Sequence, residues 1–182
     1  MAPSEQLTSS ALQALLQDGK LAGSWTLDPA RSEVVLKSRH TWGLRPVDGV
    51  FRQVAGSGTV TAAGGVSGVL TVAAASVDTK NARRDTHLRS ADFFDADNHQ
   101  DITFSADGAS PAGDGVRITG SLTVRGTTRP ATLDAKVSAA DGEVVLDGDL
   151  RVNRADYGMT WNFIGVAAME STIVVHAVFT RQ

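Results

Sequence analysis

Apolar and polar side chains alternate along most of the chain from Trp25 onward. In the run 115–125, for example, Val116, Ile118 and Leu122 alternate with polar residues. A period of two residues is typical of a β-strand with one buried face, and clean alternation is characteristic of antiparallel sheets. The pattern predicts strands at 24–28, 32–42, 48–54, 57–62, 66–77, 100–107, 115–125, 130–138, 143–152 and 171–180.

Turn residues separate these runs at short intervals. Asp28-Pro29, Gly64-Gly65 and Asp141-Gly142 are typical turn pairs. Because some of the runs read as halves of one longer strand, we expect about eight strands, as in small closed barrels. Many short strands without alternating helices indicate an all-β protein, either a sandwich or an up-and-down barrel.

Three glycines fall in the middle of predicted strands, on the apolar face: Gly68, Gly120 and Gly148. One interpretation is that they relieve crowding where strands bend to close a barrel. The other is that small residues leave an elongated apolar tunnel for a ligand. Both interpretations predict an antiparallel barrel, and the choice between them stays open at this point.

A short amphipathic helix is predicted over 8–18, where leucines recur at helical spacing. Ser10 followed by Gln13 is a candidate capping box at its start. Gly19 stands where the helix would end. We expect this helix to cover part of the barrel.

A second short helix is predicted over 81–89, with Asn81 as its N-cap. It interrupts the strands and should lie across one end of the barrel. No linker or repeat divides the body of the chain. The expected organisation is an N-terminal helical extension at 1–23 and a single β-barrel domain at 24–182.

The amino-acid composition excludes several classes of protein and of functional site. The chain has 182 residues, of which 42% are hydrophobic and 20% charged, which excludes a disordered chain. The absence of cysteine excludes disulfides, zinc–thiolate sites and cysteine nucleophiles. A net charge of −3 predicts no binding to nucleic acid or to an anionic membrane surface. No apolar run is long enough for membrane insertion, and no signal-peptide pattern is visible, so we expect a cytoplasmic protein.

The candidate catalytic and metal-binding residues form no complete motif. The sequence contains no G-x-S-x-G, H-E-x-x-H or Walker loop. The segment 95–99 resembles the start of a calcium loop but lacks its Gly and its Glu, so no metal site is expected. His40 and His176 are interpreted as structural residues at an apolar face. The enzyme alternative would use acid–base chemistry by Asp85 with His87 or by His40, or a haem held in the barrel by histidine.

Several short segments, taken in order, resemble the YceI-like family. The central match is Asp78-Thr79-Lys80-Asn81 followed by Arg84-Asp85-Thr86-His87-Leu88 and by Ser90-Ala91-Asp92-Phe93-Phe94-Asp95. It continues through Ile102-Thr103-Phe104, Gly120-Ser121-Leu122-Thr123-Val124-Arg125-Gly126 and Asn153-Arg154-Ala155-Asp156-Tyr157-Gly158-Met159. The resemblance covers about 24–181. It implies a lipocalin-like antiparallel barrel that binds a polyisoprenoid or a similar long-chain amphiphile in its pore, commonly as a dimer.

The resemblance implies a non-enzymatic binding or carrier protein for an isoprenoid or fatty amphiphile, such as an isoprenoid quinone, without a cofactor. Ser38, His40 and Arg154 are the candidates for contact with a polar head group. Trp42 and Trp161, in irregular segments, suit contact with a flexible hydrocarbon at the barrel mouth. The full set of expected ligand-binding residues is Leu36, Ser38, His40, Trp42, Phe51, Gly68, Phe104, Gly120, Leu122, Gly148, Arg154, Met159, Trp161 and Phe163. A further alternative is a purely structural barrel whose tunnel is filled by side chains.

Overall fold

A computed structural model describes residues 6–40, 45–140, 142–162, 165 and 167–182, with residues 40 and 45 described by their backbone only. Its helices are α1 (Ser9–Gln17) and α2 (Ala82–Arg89), and 3₁₀ turns lie at Ala74–Ser76 and Arg154–Tyr157. Its strands are β1 (Gly23–Leu27), β2 (Glu33–His40), β3 (Arg45–Phe51), β4 (Val54–Val60), β5 (Val66–Ala73), β6 (Val77–Asp78), β7 (Asp101–Ala112), β8 (Gly115–Val124), β9 (Thr127–Ala140), β10 (Glu143–Asn153) and β11 (Glu170–Arg181).

Eight antiparallel strands close a ring in the order β1-β4-β5-β7-β8-β9-β10-β11, and β11 pairs back to β1. The other half of β11 pairs with β2, with Ile173 opposite Leu36. From β2 the sheet continues through β3 to β6. The predicted antiparallel, lipocalin-like barrel is confirmed.

The predicted inward faces carry the core. Val116, Ile118, Leu122 and Val124 of β8 are all buried, and the polar residues between them are more exposed. The predicted run 66–77 is not one strand, because a 3₁₀ turn at Ala74–Ser76 divides it into β5 and β6. After this turn the chain leaves the ring of eight strands, and β6 pairs with β3.

The two helices cover opposite ends of the barrel interior. Helix α2 covers what we call the upper end, and its N-cap Asn81 accepts a hydrogen bond from the Arg84 N–H through its side chain (3.1 Å), as predicted. Helix α1 covers the lower end. Among the described residues, no helix has the length and apolar character needed to cross a membrane.

The start of α1 differs from the predicted capping box. Thr8 is the N-cap, and its hydroxyl accepts from the Ala11 N–H (3.3 Å). Ser10 therefore lies inside the first turn, because the helix begins at Ser9. The end of the helix is as expected, with Gly19 in the left-handed region (φ 66°) just after the C-cap Asp18.

Candidate functional site

The upper half of the barrel encloses an apolar cavity of about 210 Å³. Strands on every side contribute inward side chains to it, and α2 closes it from above. Of the expected ligand-binding residues, those that line this cavity are Leu36, Ser38, Phe51, Phe104, Leu122, Arg154, Met159 and Trp161. Trp42 and Phe163, together with the side chain of His40, lie outside the described residues.

Sequence reasoning missed a group of residues that roof the same cavity. Leu88 of α2 and the following Phe93 and Phe94 line it, as does Tyr157 from the second 3₁₀ turn. Phe51 and Phe94 pack with their ring centres 5.9 Å apart. The pair Phe93-Phe94 was visible in the sequence as an aromatic cluster beside a helix, but nothing local assigned it to the roof of a cavity.

Arg154 is the most deeply buried cation of the site, with 6% of its surface exposed. Its Nε donates to the Ala168 carbonyl (2.9 Å), and its Nη1 donates to the carbonyls of Met159 (2.8 Å) and Trp161 (2.7 Å). Its Nη2 donates to the Ala167 carbonyl (3.4 Å). Burial lowers the pKa of this guanidinium, although arginine keeps its charge in proteins.

The charge of Arg154 is balanced by dipoles rather than by an acid. In the described part of the chain, no carboxylate forms a salt bridge with it. Its guanidinium carbon lies 5.4 Å from the ring centre of Phe93, in a cation–π contact. The polar end of an otherwise apolar cavity therefore carries a positive charge.

A chain of hydrogen bonds fixes the approach to α2. Arg84 donates from Nε to the Thr79 hydroxyl (2.8 Å) and from Nη2 to the Thr79 carbonyl (2.9 Å). The Thr79 hydroxyl in turn donates to Asp85 (2.6 Å). Arg84 and Thr79 also line the upper cavity. Asp85 thus serves to hold the start of the helix.

His87 lies at the outer edge of the roof. Its ring meets Trp161 edge-on, with ring centres 4.4 Å apart, and meets Phe93 in the same way at 5.0 Å. Its Nε2 lies 3.0 Å from Oδ2 of Asp92. The hydrogen-bond partner of His87 is therefore Asp92, whereas Asp85 bonds to Thr79.

A second apolar cavity of about 150 Å³ occupies the lower half of the barrel. Leu12 and Leu16 of α1 line it, together with Trp25 and Gly68. Four side chains line both cavities and form what we call the waist: Leu70, Phe104, Leu133 and Val175. The interior is thus arranged as two apolar chambers, one above the other.

The mid-strand glycines lie near the waist, where neighbouring strands approach closely. In the register, Gly68 stands opposite Ala106, Ala106 opposite Gly120, and Gly120 opposite Ala131. A Cβ on Gly120 would overlap the Ser105 carbonyl oxygen. The missing side chain leaves room for backbone at this position.

The same holds for Gly148, where a Cβ would lie 2.5 Å from the Asp134 carbonyl oxygen. Neither Gly120 nor Gly148 lines the upper or the lower cavity. The expectation that these two glycines leave space for a ligand is therefore corrected, and crowding between strands explains them. Gly68 does line the lower cavity.

His176 lies on the outer face of the barrel, where its Nδ1 is 2.6 Å from Oδ1 of Asp147. The inward residues of β11 are its neighbours Val175 and Ala177. Asp95 accepts from the Asn98 side chain (3.0 Å) within a turn. Across the described residues, no three His, Asp or Glu side chains are grouped so that they could hold a metal ion.

Comparison with known proteins identifies the family. Residues 25–179 match the family model of the YceI-like domain. The chain belongs to the YceI-like family. A UPF0312 protein of Serratia proteamaculans is 30% identical over 112 residues, which span 58% of each chain. The alignment with Protein YceI of Escherichia coli reaches 46% identity but spans only 36% of that relative.

Two solved structures share the fold of this chain. Burkholderia cenocepacia BcnA superposes with a TM-score of 0.76 at 25% identity, over 84% of this chain and 98% of that one. A polyisoprenoid-binding domain from Saccharophagus degradans, implicated in plant cell wall breakdown, superposes with a TM-score of 0.69 at 15% identity. That alignment covers 87% of this chain and 98% of the Saccharophagus chain.

Proposed function

We propose that this protein is a non-enzymatic binding or carrier protein that holds a polyisoprenoid or similar long-chain amphiphile inside the barrel. The observation that carries the proposal is the apolar upper cavity, whose main polar groups stand at one end. Membership in the YceI-like family supports it. The polyisoprenoid-binding domain of Saccharophagus degradans has a similar barrel, which agrees with this function.

The lining accounts for affinity toward a hydrocarbon tail. Each CH₂ group moved from water into an apolar cavity contributes about 0.8 kcal/mol. Inward side chains such as Leu36, Leu122 and Ile173 offer the tail no hydrogen bond. Such a cavity selects for apolar character and shape, which suits a flexible isoprenoid chain.

The polar end suits a head group that accepts hydrogen bonds. Arg154 has five N–H groups, and four of its hydrogen bonds go to backbone carbonyls. We propose that the remaining Nη2 N–H meets an oxygen of the head group, such as a quinone carbonyl or a phosphate. Ser38 lines the same cavity and can add a hydroxyl contact.

Asp85 and His87, the candidate catalytic residues of the enzyme alternative, form structural contacts in this fold. Asp85 accepts from the N–H and the hydroxyl of Thr79 at 2.9 and 2.6 Å, which leaves the carboxylate committed to the start of α2. His87 is paired with Asp92 and packs against two aromatic rings, those of Phe93 and Trp161. This arrangement favours a role for both residues in building the roof of a binding cavity.

The proposal is tested by native mass spectrometry of the purified protein, with organic extraction of any retained lipid. Binding of geranylgeraniol is then compared in two variants of adjacent β2 positions. Leu36→Trp fills the upper cavity, whereas Lys37→Trp places the same ring on the exposed outer face. We expect Leu36→Trp to weaken binding by about tenfold or more, the equivalent of about two buried CH₂ groups.

Lys37→Trp should bind as the wild type does. Equal behaviour of the two variants would show that the tail does not occupy the upper cavity. Repeated absence of retained lipid, together with affinity that does not depend on tail length, would overturn the proposed function.

The cytoplasmic location and the homodimer stay predictions from the sequence and from the family resemblance. We propose both as properties of the functional protein. Cell fractionation tests the first, and light scattering on the purified chain tests the second.

A further inference from the structure

The lower cavity has a floor that comes from outside the barrel strands. Leu12 and Leu16 of α1, with Leu21 just beyond it, line the cavity from below. Helix α1 precedes residues 25–179, the part of the chain that matches the family model. The floor is therefore built by residues that lie outside the matched part of the chain.

Polar contacts attach α1 firmly across the barrel end. The Ser9 hydroxyl lies 2.7 Å from the carbonyl oxygens of both Gly113 and Gly115, at the turn between β7 and β8. Just before the helix, the Leu7 N–H donates to the Val137 carbonyl (2.8 Å). These contacts hold the helix so that Leu12, which is buried, and Leu16 face the interior.

The two chambers together set the path of a bound tail. The two lining arginines, Arg154 and Arg84, line only the upper chamber, and the lower chamber is lined by no charged residue. A head group bound at the upper end would direct its tail past the waist toward α1. Between Val124 and Val116, strand β8 spans about 26 Å, or about 20 Å along the axis of a tilted barrel.

We propose that Leu12 and Leu16 are specificity-determining residues that set the longest tail the barrel can enclose. This inference rests on the proposed function and concerns the same ligand. A tail shorter than the interior leaves apolar space in the lower chamber unfilled. A tail longer than the interior must displace α1 or remain partly in water, so affinity stops rising at a defined length.

The test measures affinity for a series of isoprenoid alcohols of rising length: geraniol, farnesol, geranylgeraniol and solanesol. Leu16→Ala is compared with Leu15→Ala, because both side chains are partly buried but only Leu16 lines the lower cavity. We expect the wild type and Leu15→Ala to share one length optimum. Leu16→Ala should shift the optimum to a longer alcohol. The affinity of this variant for the longer alcohol should rise several-fold relative to its affinity for the shorter alcohols.

A second pair of variants leaves α1 intact. Ala109→Phe fills the lower cavity from β7, whereas Ser110→Phe places the same ring on the exposed side of that strand. We expect Ala109→Phe to weaken binding of the longest enclosed tail by about tenfold and to leave geraniol binding unchanged. Ser110→Phe should change neither the binding of the longest enclosed tail nor the binding of geraniol.

The outcomes separate the two proposals. If the wild type binds no isoprenoid alcohol, the proposed function fails and this inference fails with it. If the wild type binds with tail-length dependence, but both matched pairs leave the optimum unchanged, the binding function stands and the role of Leu12 and Leu16 is overturned.

Discussion

The hydroxyl of Thr79 donates a hydrogen bond to Oδ1 of Asp85 over 2.6 Å, and the N–H of Thr79 donates to the same oxygen over 2.9 Å. Both residues are buried, with 7% and 8% of their surfaces exposed. An acidic side chain six positions along the chain thus completes the turn that leads into α2. The roof of the upper cavity depends on this pair, because α2 carries the roof residue Leu88.

Replacing Asp85 should therefore reduce stability. We expect Asp85→Ala to lower the free energy of unfolding by about 2 kcal/mol, because it leaves two buried donors of Thr79 without an acceptor. Urea unfolding followed by tryptophan fluorescence measures this change. The exposed Asp92 provides the control, and Asp92→Ala should change the free energy of unfolding by no more than about 0.5 kcal/mol. Unchanged stability of Asp85→Ala would contradict the role assigned here.

A side chain at Gly120 should be poorly tolerated although the barrel interior contains cavities. The Cβ of Gly120→Ala would meet the Ser105 carbonyl oxygen, so the strands must move apart. We expect a loss of about 2–3 kcal/mol in the free energy of unfolding.

The matched substitution is Gly58→Ala, where the nearest atom to the new Cβ is the Ser67 carbonyl oxygen at 3.4 Å, an ordinary contact. We expect Gly58→Ala to change the free energy of unfolding by no more than about 1 kcal/mol. Alanine lowers the conformational entropy of the unfolded chain, which offsets the small cost of fitting the new methyl group. Thermal and urea unfolding of the two variants measure the difference. Equal stabilities would argue against strand crowding at Gly120.

Removing the guanidinium of Arg154 should reduce stability, because it binds the carbonyls of Met159, Trp161, Ala167 and Ala168. Arg154→Met retains an apolar stem but deprives buried backbone carbonyls of their donor. We expect the free energy of unfolding to fall by about 3 kcal/mol. Arg129 serves as the control, since it is exposed and donates to the Asp156 carbonyl at 3.3 Å. Arg129→Met should cost less than about 1 kcal/mol.

Hydrogen exchange adds a local readout for Arg154. Amide protection of Met159, whose N–H donates to the Arg154 carbonyl (3.1 Å), should fall in Arg154→Met and persist in Arg129→Met. Full protection in both variants would show that the segment is held by other contacts.

The sequence predicted the barrel well because alternation is a local property. Each inward residue of β8 and β10 stands two positions from the next, and burial of one face follows from that spacing. The cap of α2 was also predictable, since Asn81 and Arg84 are only three residues apart. Most of the residues expected to contact ligand lie on such faces and do line the upper cavity, as Leu36 and Leu122 do.

Alternation failed where both faces of a strand are apolar. In β11, Val174 and Val178 alternate with Val175 and Ala177, so the pattern does not say which set faces inward. The pairing of β11 with β10 decides this and brings His176 beside Asp147 on the outer face. A polar neighbour from another strand, invisible in the local pattern, fixes the orientation.

The sequence by itself determined the class of fold, the inward faces of strands with one polar face, such as β8, and the resemblance to the YceI-like family. Only the tertiary structure decided that Gly120 leaves space for the Ser105 backbone rather than for a ligand. It also decided that Arg154 holds four carbonyls and that Leu16 closes a second chamber. The physical reason is the range of the interactions. The alternation of a strand depends on residues that are neighbours in the sequence. The close approach of two strands, the burial of a charged side chain and the enclosure of a cavity depend on closure of the barrel, which brings together residues far apart in the chain.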